Sequence, residues 1–489
     1  MSFMRVSEAQ NIEDVAVSNV ATGTTRAAPL PTFTNDQIAD FLVYNWLGGA
    51  SFNTGPTNTI TVNITGLTAA GQQLATWALQ AWTMVTGITF AQVAGSAGIT
   101  FYDYLPGASA GPDSLTGSTI NAASVDIGTG WIASYGTGID SYSFTTYMHE
   151  IGHALGLDHA GNYDGGATYT TTGPPSYGYN HYLNDSWQAT VMSYFDQAEA
   201  GTGSYNFQLT PMIADILAMQ ILYGTAGTLR TGDTVYGVGS TAGGYYDANL
   251  GATASFTLID DGGVDKIDFS NVTADQRVDL RSEAISDVGG LVGNMIIMRD
   301  TIIEQFISGS GNDNITGNDA GNLIDGGGGI DLIKGKGGVD AIYGGGGDDI
   351  LNGNAKGDKI YGGAGNDILR GGNGKDKIFG GDGDDTLMGG IGRDRLTGGQ
   401  GNDTFVFKAG WAVDLITDFE DNIDTLSLDS ALWGGGLTIA QVIAAYGTSN
   451  VANNANAGFH VELDFGTGDV LKIHGITDVN ALLDDITIF

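Results

Sequence analysis

A nine-residue repeat is the feature that most restricts how this chain can fold. The repeat begins at Ser308 and runs to Val406, which gives eleven consecutive units without an insertion. The sixth residue is aspartate in ten units, and the eighth is always isoleucine, leucine or phenylalanine. A flexible Gly/Asp-rich linker would have no reason to keep an apolar residue in a fixed register. The aspartates are Asp313, Asp331, Asp340, Asp349, Asp358, Asp367, Asp376, Asp385, Asp394 and Asp403.

The repeat predicts a solenoid of stacked short strands. Each unit supplies a glycine-rich turn and then a strand whose eighth residue points inward. If two units complete one coil, the aspartates on each side stack every eighteen residues. Carboxylates and exposed turn carbonyls are hard oxygen ligands that suit Ca²⁺. We expect weaker or missing calcium sites in two units, where Ala320 and Lys356 replace the fourth-position glycine, and the sixth residue of the first of these is Asn322.

The stretch HEIGHALGLDH, from His149 to His159, contains three of the six histidines in the chain. On a helix, His149 and His153 lie one turn apart on the same face and can bind one Zn²⁺. Gly156 allows the chain to leave the helix sharply, so that His159 can return as a third nitrogen ligand. Three protein ligands leave a position open for water, and Glu150 is placed to accept that water's proton. The motif therefore predicts a catalytic zinc site.

The charge distribution excludes one class of partner. The formal net charge is −37, and residues 27–229 contain thirteen acidic residues but no lysine or arginine. Such a surface cannot neutralise phosphates, so nucleic-acid binding is excluded. Two interpretations remain open: an acidic solvated surface that maintains solubility, or a field that attracts cationic substrates. The chain has no cysteine, no apolar run long enough to predict a membrane span, and no basic-then-apolar leader typical of a cleaved signal peptide.

Apolar periodicity indicates mixed helices and strands before residue 228. A helix is predicted over residues 68–85 with Thr68 as its cap, and strands are predicted at residues 88–94 and 98–105. Further helices are expected around Tyr147–Leu157 and over residues 210–224, with a glycine- and tyrosine-rich loop between them. Residues 1–30 are small and polar and are interpreted as a leader. This first part is therefore predicted to be an α/β or α+β domain.

Together these motifs resemble those of the metzincins and, within them, the serralysin family of secreted bacterial metalloproteases. The histidine motif, the segment TVMSYF and the repeats carry the resemblance, because the family combines a zinc motif and a methionine turn with RTX repeats. It implies a multi-domain chain: a leader (1–30), an α/β (α+β) metzincin catalytic domain (31–228), and an all-β calcium-binding region (229–489). The last would consist of a parallel β-roll of RTX repeats (308–406) and a secretion-signal region (407–489).

The resemblance also implies roles for individual residues. Met192 would form the methionine turn beneath the zinc, and Tyr194 would be a further zinc ligand that assists catalysis beside Glu150. Calcium would bind along the repeats and at two sites before them. The first of these matches Arg230, Gly232, Thr234, Asp260, Gly262 and Asp265. The second matches Gly263, Asp265, Ile302 and Glu304.

The predicted function is that of a secreted zinc endopeptidase that cleaves peptide bonds and is stabilised by calcium. Its implied partners are protein or peptide substrates and a type I secretion exporter, and we expect an extracellular monomer. One alternative is a calcium-stiffened surface or adhesin protein with an inactive protease fold. Another is a zinc enzyme that hydrolyses amides other than peptides.

Overall fold

In this computed structural model the described residues are 29–489, except 164–165, 173–176, 225–228, 248–253, 453–458 and 467. The side chains of residues 244, 247, 450–452 and 459 are also outside the description. Nearly all of the predicted leader therefore lies outside the described residues. The predicted domain boundary next to residue 228 also falls outside them and stays a prediction.

The first part of the chain combines one mixed sheet with helices that carry the histidines. The sheet has the order β1-β6-β4-β2-β3, with parallel pairs throughout, and β5 adds to β6 as an antiparallel hairpin partner. The helices and strands of this first part of the chain are α1 (Asn35–Tyr44), β1 (Ser51–Phe52), β2 (Thr59–Asn63), α2 (Ala69–Thr86), β3 (Thr89–Gln92), β4 (Ile99–Tyr102), β5 (Ala108–Thr116), β6 (Thr119–Ile127), α3 (Thr129–Tyr135), α4 (Tyr142–Ala154), β7 (Phe207–Gln208) and α5 (Ile213–Tyr223).

The predicted helix over residues 68–85 is confirmed as α2. The Thr68 hydroxyl accepts a hydrogen bond from the Gly71 N–H at 3.3 Å, which caps the first turn. Trp82 is fully buried and its indole donates to the Met148 carbonyl oxygen at 3.1 Å, so α2 packs directly beneath α4. This contact holds α4, the helix that carries His149 and His153, against α2.

The helix predicted around Tyr147–Leu157 is confirmed as α4, but it begins and ends earlier in the chain than the prediction. It begins at Tyr142 because the Ser141 hydroxyl accepts the Phe144 N–H at 3.2 Å, an N-cap that the apolar pattern did not reveal. It ends at Ala154 because Gly156 adopts φ +104°, a left-handed conformation that breaks the helix. A side chain at Gly156 would collide with the Ala50 carbonyl oxygen.

The repeats form two parallel sheets, with successive units alternating between them. Strands pair at an offset of eighteen residues, for example Leu323 with Ala341 and Leu332 with Ile350. The predicted two-unit coil is therefore confirmed. The eighth-position side chains, from Ile315 to Phe405, are buried in one continuous core between the sheets. Each contributes at most about 1.5–3 kcal/mol by burial.

The coil extends beyond the repeat on both sides. One sheet has the order β28-β29-β30-β26-β24-β22-β20-β18-β16-β14-β10-β8 and the other β11-β15-β17-β19-β21-β23-β25-β27-β31. The elements outside the repeat are β8 (Val235–Gly237), β9 (Ala254–Leu258), β10 (Lys266–Asp268), β11 (Arg277–Asp279), β12 (Ile285–Ser286), β13 (Met295–Ile297), β14 (Gln305–Ile307), β26 (Val413–Ile416), β27 (Thr425–Leu428), α6 (Ile439–Tyr446), β28 (Gly447–Ala452), β29 (Phe459–Asp464), β30 (Val470–Ile473) and β31 (Ile486–Ile488). Those inside it are β15 (Asn314–Thr316), β16 (Leu323–Gly328), β17 (Leu332–Lys334), β18 (Ala341–Gly346), β19 (Ile350–Ala355), β20 (Lys359–Ala364), β21 (Ile368–Gly374), β22 (Lys377–Asp382), β23 (Thr386–Gly392), β24 (Arg395–Gln400) and β25 (Thr404–Phe407). We refer to residues 305–416 as the parallel coil.

Contacts join the first part of the chain to the segment before the coil. The Arg299 guanidinium binds both carboxylate oxygens of Asp36 in α1, at 2.8 and 2.9 Å, and also contacts Glu283. The main apolar core of the first part also includes Ile259, Ile296 and Met298. Within the described residues, no helix is both long enough and apolar enough to cross a membrane.

Candidate metal centre and active site

The structure brings the three motif histidines together at one point. The Nε2 atom of His153 lies 3.1 Å from Nε2 of His149 and 2.9 Å from Nε2 of His159. Among the described residues they form the sole group of three metal-binding side chains whose ligand atoms all lie within 4.8 Å of one another. Tetrahedral Zn²⁺ with Zn–N bonds of ~2.0–2.1 Å requires ring nitrogens about 3.3 Å apart. The observed separations are close to that requirement.

Backbone contacts fix which ring nitrogen of each histidine faces this point. The Nδ1 atoms of His149 and His153 each lie 2.8 Å from a carbonyl oxygen, that of Val191 and that of Leu157. A carbonyl oxygen can only accept, so Nδ1 carries the hydrogen and Nε2 presents its lone pair. The His159 ring in turn hydrogen-bonds to the backbone of Tyr163. The centre is therefore made of three converging lone pairs.

Burial keeps these imidazoles neutral. It lowers the pKa of each to about 3, and the neighbouring histidine lowers it further in each case. Neutral nitrogens at hydrogen-bond distance with no hydrogen between them repel one another unless a cation lies between them. The donor set therefore fits a divalent metal that prefers nitrogen ligands, as Zn²⁺ does.

Glu150 and Tyr194 are the two further candidate residues near this centre. Glu150 follows His149 on α4 and is only 7% exposed. The Tyr194 ring lies 4.6 Å from the His159 ring and 5.8 Å from the His149 ring, measured between centroids. A carboxylate and a phenol are thus available beside the three histidines, which is the combination that general acid–base chemistry at a metal requires.

Met192 occupies a turn packed against α4. It is fully buried, and its backbone carbonyl accepts the Ala160 N–H at 3.3 Å, next to His159. A side chain at Gly152 would collide with the Met192 sulfur, so α4 needs a glycine there to approach the turn. The methionine therefore supports both the helix and the loop that carry the histidines.

Two acidic residues that the sequence did not single out support the centre, and Asp215 on α5 is the first. It accepts hydrogen bonds from the Val191 N–H at 2.8 Å and from the Thr190 hydroxyl at 2.5 Å. Since the Val191 carbonyl orients His149, Asp215 holds this histidine through the turn that contains Met192. Burial raises the pKa of Asp215 to about 7. The sequence signal that could have identified Asp215 is a single acidic residue within the apolar stretch MIADILAM.

The second is Asp185, which connects two loops around the centre. Its carboxylate accepts hydrogen bonds from the Tyr163 hydroxyl at 3.1 and 3.2 Å and from the Ser193 hydroxyl at 2.7 Å. The Tyr163 ring packs 4.8 Å from that of Tyr194. Asp185 thus ties the loop after His159 to the loop that carries Tyr194. No local pattern in the sequence marks it.

The repeat aspartates form two ladders inside the coil. The Oδ1 atom of each accepts the backbone N–H of the residue one coil earlier, as Asp349 does from Asp331 at 2.8 Å. The other oxygen, Oδ2, is buried without a hydrogen-bond partner in eight of them. These eight are Asp331, Asp340, Asp349, Asp358, Asp367, Asp376, Asp385 and Asp394. A buried orphan carboxylate oxygen is costly unless a cation satisfies it.

Glycine carbonyls face the same unsatisfied oxygens. A side chain at Gly344 would collide with Oδ2 of Asp349 and would lie 2.6 Å from the Gly362 carbonyl oxygen. The first position of a unit is therefore an oxygen-lined space that only glycine leaves open. Carboxylate and carbonyl oxygens in this arrangement fit Ca²⁺.

The unit with Asn322 differs from its neighbours. Its amide donates to the Ile303 carbonyl at 3.1 Å, and its oxygen accepts the Asn318 N–H at 2.9 Å. The polar atoms are thus satisfied internally. Lys356, in the other irregular unit, adopts φ +86°, a conformation that favours glycine. The expectation of weaker calcium sites in these two units stays a prediction.

The ladders continue outside the repeat. The Asp265 N–H donates to a Glu304 carboxylate oxygen at 2.8 Å, and the Asp394 N–H donates to Oδ1 of Asp414 at 3.0 Å. Oδ2 of Asp265 and of Asp414 is also buried without a partner. Asp414 was missed because its offset from Asp394 is twenty residues rather than eighteen.

The residues predicted for the two calcium sites before the repeat lie close to the end of the ladder that contains Asp265. Gly262 donates its N–H to Asp260 at 3.1 Å, and the backbones of Gly232 and Gly263 approach too closely for a side chain at Gly263. Thr234 donates its N–H to Oδ1 of Asp265 at 2.8 Å.

Two side chains predicted for these sites point elsewhere. The Arg230 guanidinium donates to the Ile259 carbonyl at 2.9 Å and packs over the Tyr246 ring. The Ile302 side chain is 51% exposed. Either residue could offer only its backbone carbonyl oxygen to a cation.

Comparison with known proteins gives one family match and several curated relatives. The family described as Peptidase M10 serralysin C terminal matches residues 225–457. Serralysin of Proteus mirabilis is 45% identical over 191 residues, which are 38% of each chain. Serralysin C of Dickeya chrysanthemi is 39% identical over 258 residues, 48% of this chain and 50% of that protein.

Metallopeptidase AprA of Pseudomonas marginalis is 34% identical over 307 residues, 58% of this chain and 61% of that protein. The matched segments thus span between 38% and 61% of these three relatives' own lengths. A solved structure, the extracellular lipase LipA of Serratia marcescens, aligns with a TM-score of 0.17 and 18% identity over 37% of this chain and 40% of that chain, which supports no argument. The family match and the curated relatives agree with the sequence motifs and support a protein of the serralysin family.

Proposed function

We propose that this protein is a secreted zinc-dependent endopeptidase stabilised by calcium. The observation that carries the proposal is the convergence of three neutral imidazole Nε2 atoms, with separations of 3.1 and 2.9 Å, beside a buried carboxylate. A structural zinc site would need a fourth tightly bound protein ligand, whereas three histidines leave one position for water or substrate. Serralysin and metallopeptidase relatives support the same chemistry.

In this proposal His149, His153 and His159 would hold the zinc, and Tyr194 would be a further ligand. Bound zinc would polarise the scissile carbonyl and lower the pKa of water at the site. Glu150 accepts the proton of the attacking water and delivers it to the leaving amine. Tyr194 donates a hydrogen bond to the oxyanion that forms. Met192 and Asp215 keep the histidines in position.

Calcium, in this proposal, stabilises the region that follows the catalytic domain. The eight orphaned Oδ2 atoms and the glycine carbonyls beside them support its binding along the repeat. The sites before the repeat would draw on Asp260, Asp265 and Glu304 together with neighbouring backbone carbonyls. An extracellular location with millimolar calcium suits such sites. Export by a type I system and a monomeric state remain part of the proposal.

The test is hydrolysis of casein or gelatin by the calcium-loaded protein. We expect cleavage that a zinc-selective chelator blocks and added zinc restores. His153→Ala should abolish it, whereas His474→Ala, which alters a histidine far along the chain in the C-terminal region, should not. A protein that binds zinc without hydrolysing any substrate would favour the adhesin alternative. Hydrolysis of small amides alone, with casein intact, would favour a non-peptide amidase.

A further inference from the structure

A continuous patch of aromatic side chains lies beside the candidate active site. Neighbouring rings lie 4.7–6.3 Å apart from centroid to centroid, and they come from three different segments of the first part of the chain. We call this set the aromatic patch; its members are Trp131, Tyr135, Tyr142, Trp187, Tyr205 and Phe207. Tyr135 is 46% exposed and Tyr205 54% exposed, so the patch presents aromatic surface to solvent.

The patch is attached to the catalytic elements by hydrogen bonds. The Trp187 indole donates to the Ser193 carbonyl at 2.9 Å, immediately before Tyr194. The Trp131 indole donates to the Thr146 hydroxyl at 3.2 Å. Its position relative to the centre is therefore set by both α4 and the methionine turn.

The helix places the patch within reach of a bound peptide. Tyr142, Thr146 and Glu150 are four residues apart, so they lie on one face of α4. At 1.5 Å per residue, Thr146 and Tyr142 are about 6 and 12 Å from Glu150 along the axis. An extended peptide rises ~3.3 Å per residue. The patch would thus meet a substrate side chain roughly two to four residues from the cleaved bond.

Carboxylates act electrostatically on two tyrosines of this aromatic surface. Burial is the main cause that raises the pKa of Tyr205, and the carboxylate of Asp196 adds to it. Burial likewise raises the pKa of Tyr142, and the neighbouring Tyr135 and Tyr205, Glu150 and Glu199 raise it further. Every segment that builds the patch lies within residues 27–229, which contain no lysine or arginine. No cation of these segments neutralises the carboxylates.

We propose that the aromatic patch is a substrate subsite that binds a cationic side chain, arginine above all, two to four residues from the cleaved bond. The planar guanidinium stacks on exposed tyrosine rings while its N–H groups face the carboxylates of Asp196 and Glu199. This proposal gives a reason for the absence of lysine and arginine from residues 27–229: no cation of this segment competes with the substrate for the surface. The inference rests on the proposed endopeptidase function.

The test compares internally quenched peptides that differ at one position. Each of the positions two to four residues from the cleaved bond, on both sides, carries arginine or its neutral isostere citrulline. We expect arginine to raise kcat/KM about fivefold at positions on one side only, the usual scale of an exposed cation–π contact with a nearby charge. Raising the salt concentration to about 0.5 M should reduce this preference, because exposed charges are screened.

Matched variants assign the preference to the patch. Glu199→Gln removes the charge and retains an oxygen that can accept the Asp196 N–H, and Tyr205→Ala removes an exposed ring. Each should lower the arginine preference to about twofold or less while citrulline peptides are cleaved as before. Asp40→Asn and Tyr104→Ala, at an exposed acid and an exposed ring outside the patch, should leave the preference unchanged.

The outcomes separate this inference from the proposed function. Cleavage of all peptides without an arginine preference would overturn the subsite and leave the endopeptidase intact. A preference that persists in both patch variants would also overturn it. Failure to cleave any peptide, with zinc and calcium bound, would overturn the endopeptidase function instead.

Discussion

Removing calcium should reverse the pH dependence of stability in the parallel coil. Without a cation, burial raises the pKa of Asp331, Asp358, Asp385 and Asp394 to about 7, and neighbouring aspartates raise it further in each case. In the unfolded chain these carboxyls titrate near ~3.9. Between about pH 4 and pH 7 the calcium-free folded coil therefore retains protons that the unfolded chain has released. Its stability must fall as pH rises through this window.

The magnitude follows from the number of retained protons. Each proton held by the folded coil and lost by the unfolded chain contributes a slope of about 1.4 kcal/mol per pH unit. Retention of only two protons gives about 3 kcal/mol per unit, a large fraction of the stability of a typical domain. With calcium bound the sign reverses, because coordination requires deprotonated carboxylates and stabilises the coil more as pH rises.

Hydrogen exchange measured by mass spectrometry can localise this effect. The full-length Glu150→Gln protein avoids self-digestion, and peptides from residues 341–400 report the coil while peptides from α2 serve as an internal control. In excess chelator, and after correction for intrinsic exchange rates, we expect protection of the coil to increase from pH 7 to pH 5. Asp358→Asn with Asp376→Asn should reduce the slope. Protection of the coil that decreases toward pH 5 in chelator would contradict this prediction.

Three further predictions concern the candidate active site. Tyr194→Phe should retain zinc but lower kcat by roughly 10²–10³-fold, the usual effect of removing one oxyanion donor, as steady-state kinetics with zinc analysis would show; unchanged kcat would limit Tyr194 to packing. Asp215→Asn should destabilise the protein by about 1–3 kcal/mol and weaken zinc binding, because the new amide N–H group faces hydrogen-bond donors in the methionine turn. Zinc affinity can be measured by competition with a zinc indicator, and an unaltered affinity would contradict this prediction. Gly152→Ala should destabilise by about 1–3 kcal/mol in urea unfolding, since its methyl group collides with Met192, and a neutral effect would show that the turn is loosely packed.

Much of the fold and of the centre could be predicted because both have regular spacing. The apolar eighth position and the sixth-position aspartate repeat every nine residues, so the pairing of Leu323 with Ala341 follows from counting. In the histidine motif, His149 and His153 are four residues apart, so the helical period places them on the same face of α4.

Contacts without a period could not be predicted in this way. Asp215 reaches Val191 across twenty-four residues and Asp185 reaches Tyr163 across twenty-two, each through irregular loops. The coil beyond the repeat was missed for a similar reason. Asp265 and Glu304 are thirty-nine residues apart yet occupy successive positions in the ladder, because the chain between them includes β12 and β13 outside the two long sheets.

We propose that three histidines hold a zinc ion at which Glu150 acts as the base. The most direct measurement is the zinc content and the casein-hydrolysis rate of purified wild-type and Glu150→Gln proteins, prepared in parallel with calcium. Glutamine keeps the shape of the side chain but cannot accept the proton. We predict one zinc ion per chain in both proteins, with hydrolysis in the wild type alone. Equal loss of zinc and activity in the variant, or undiminished hydrolysis by it, would contradict the claim.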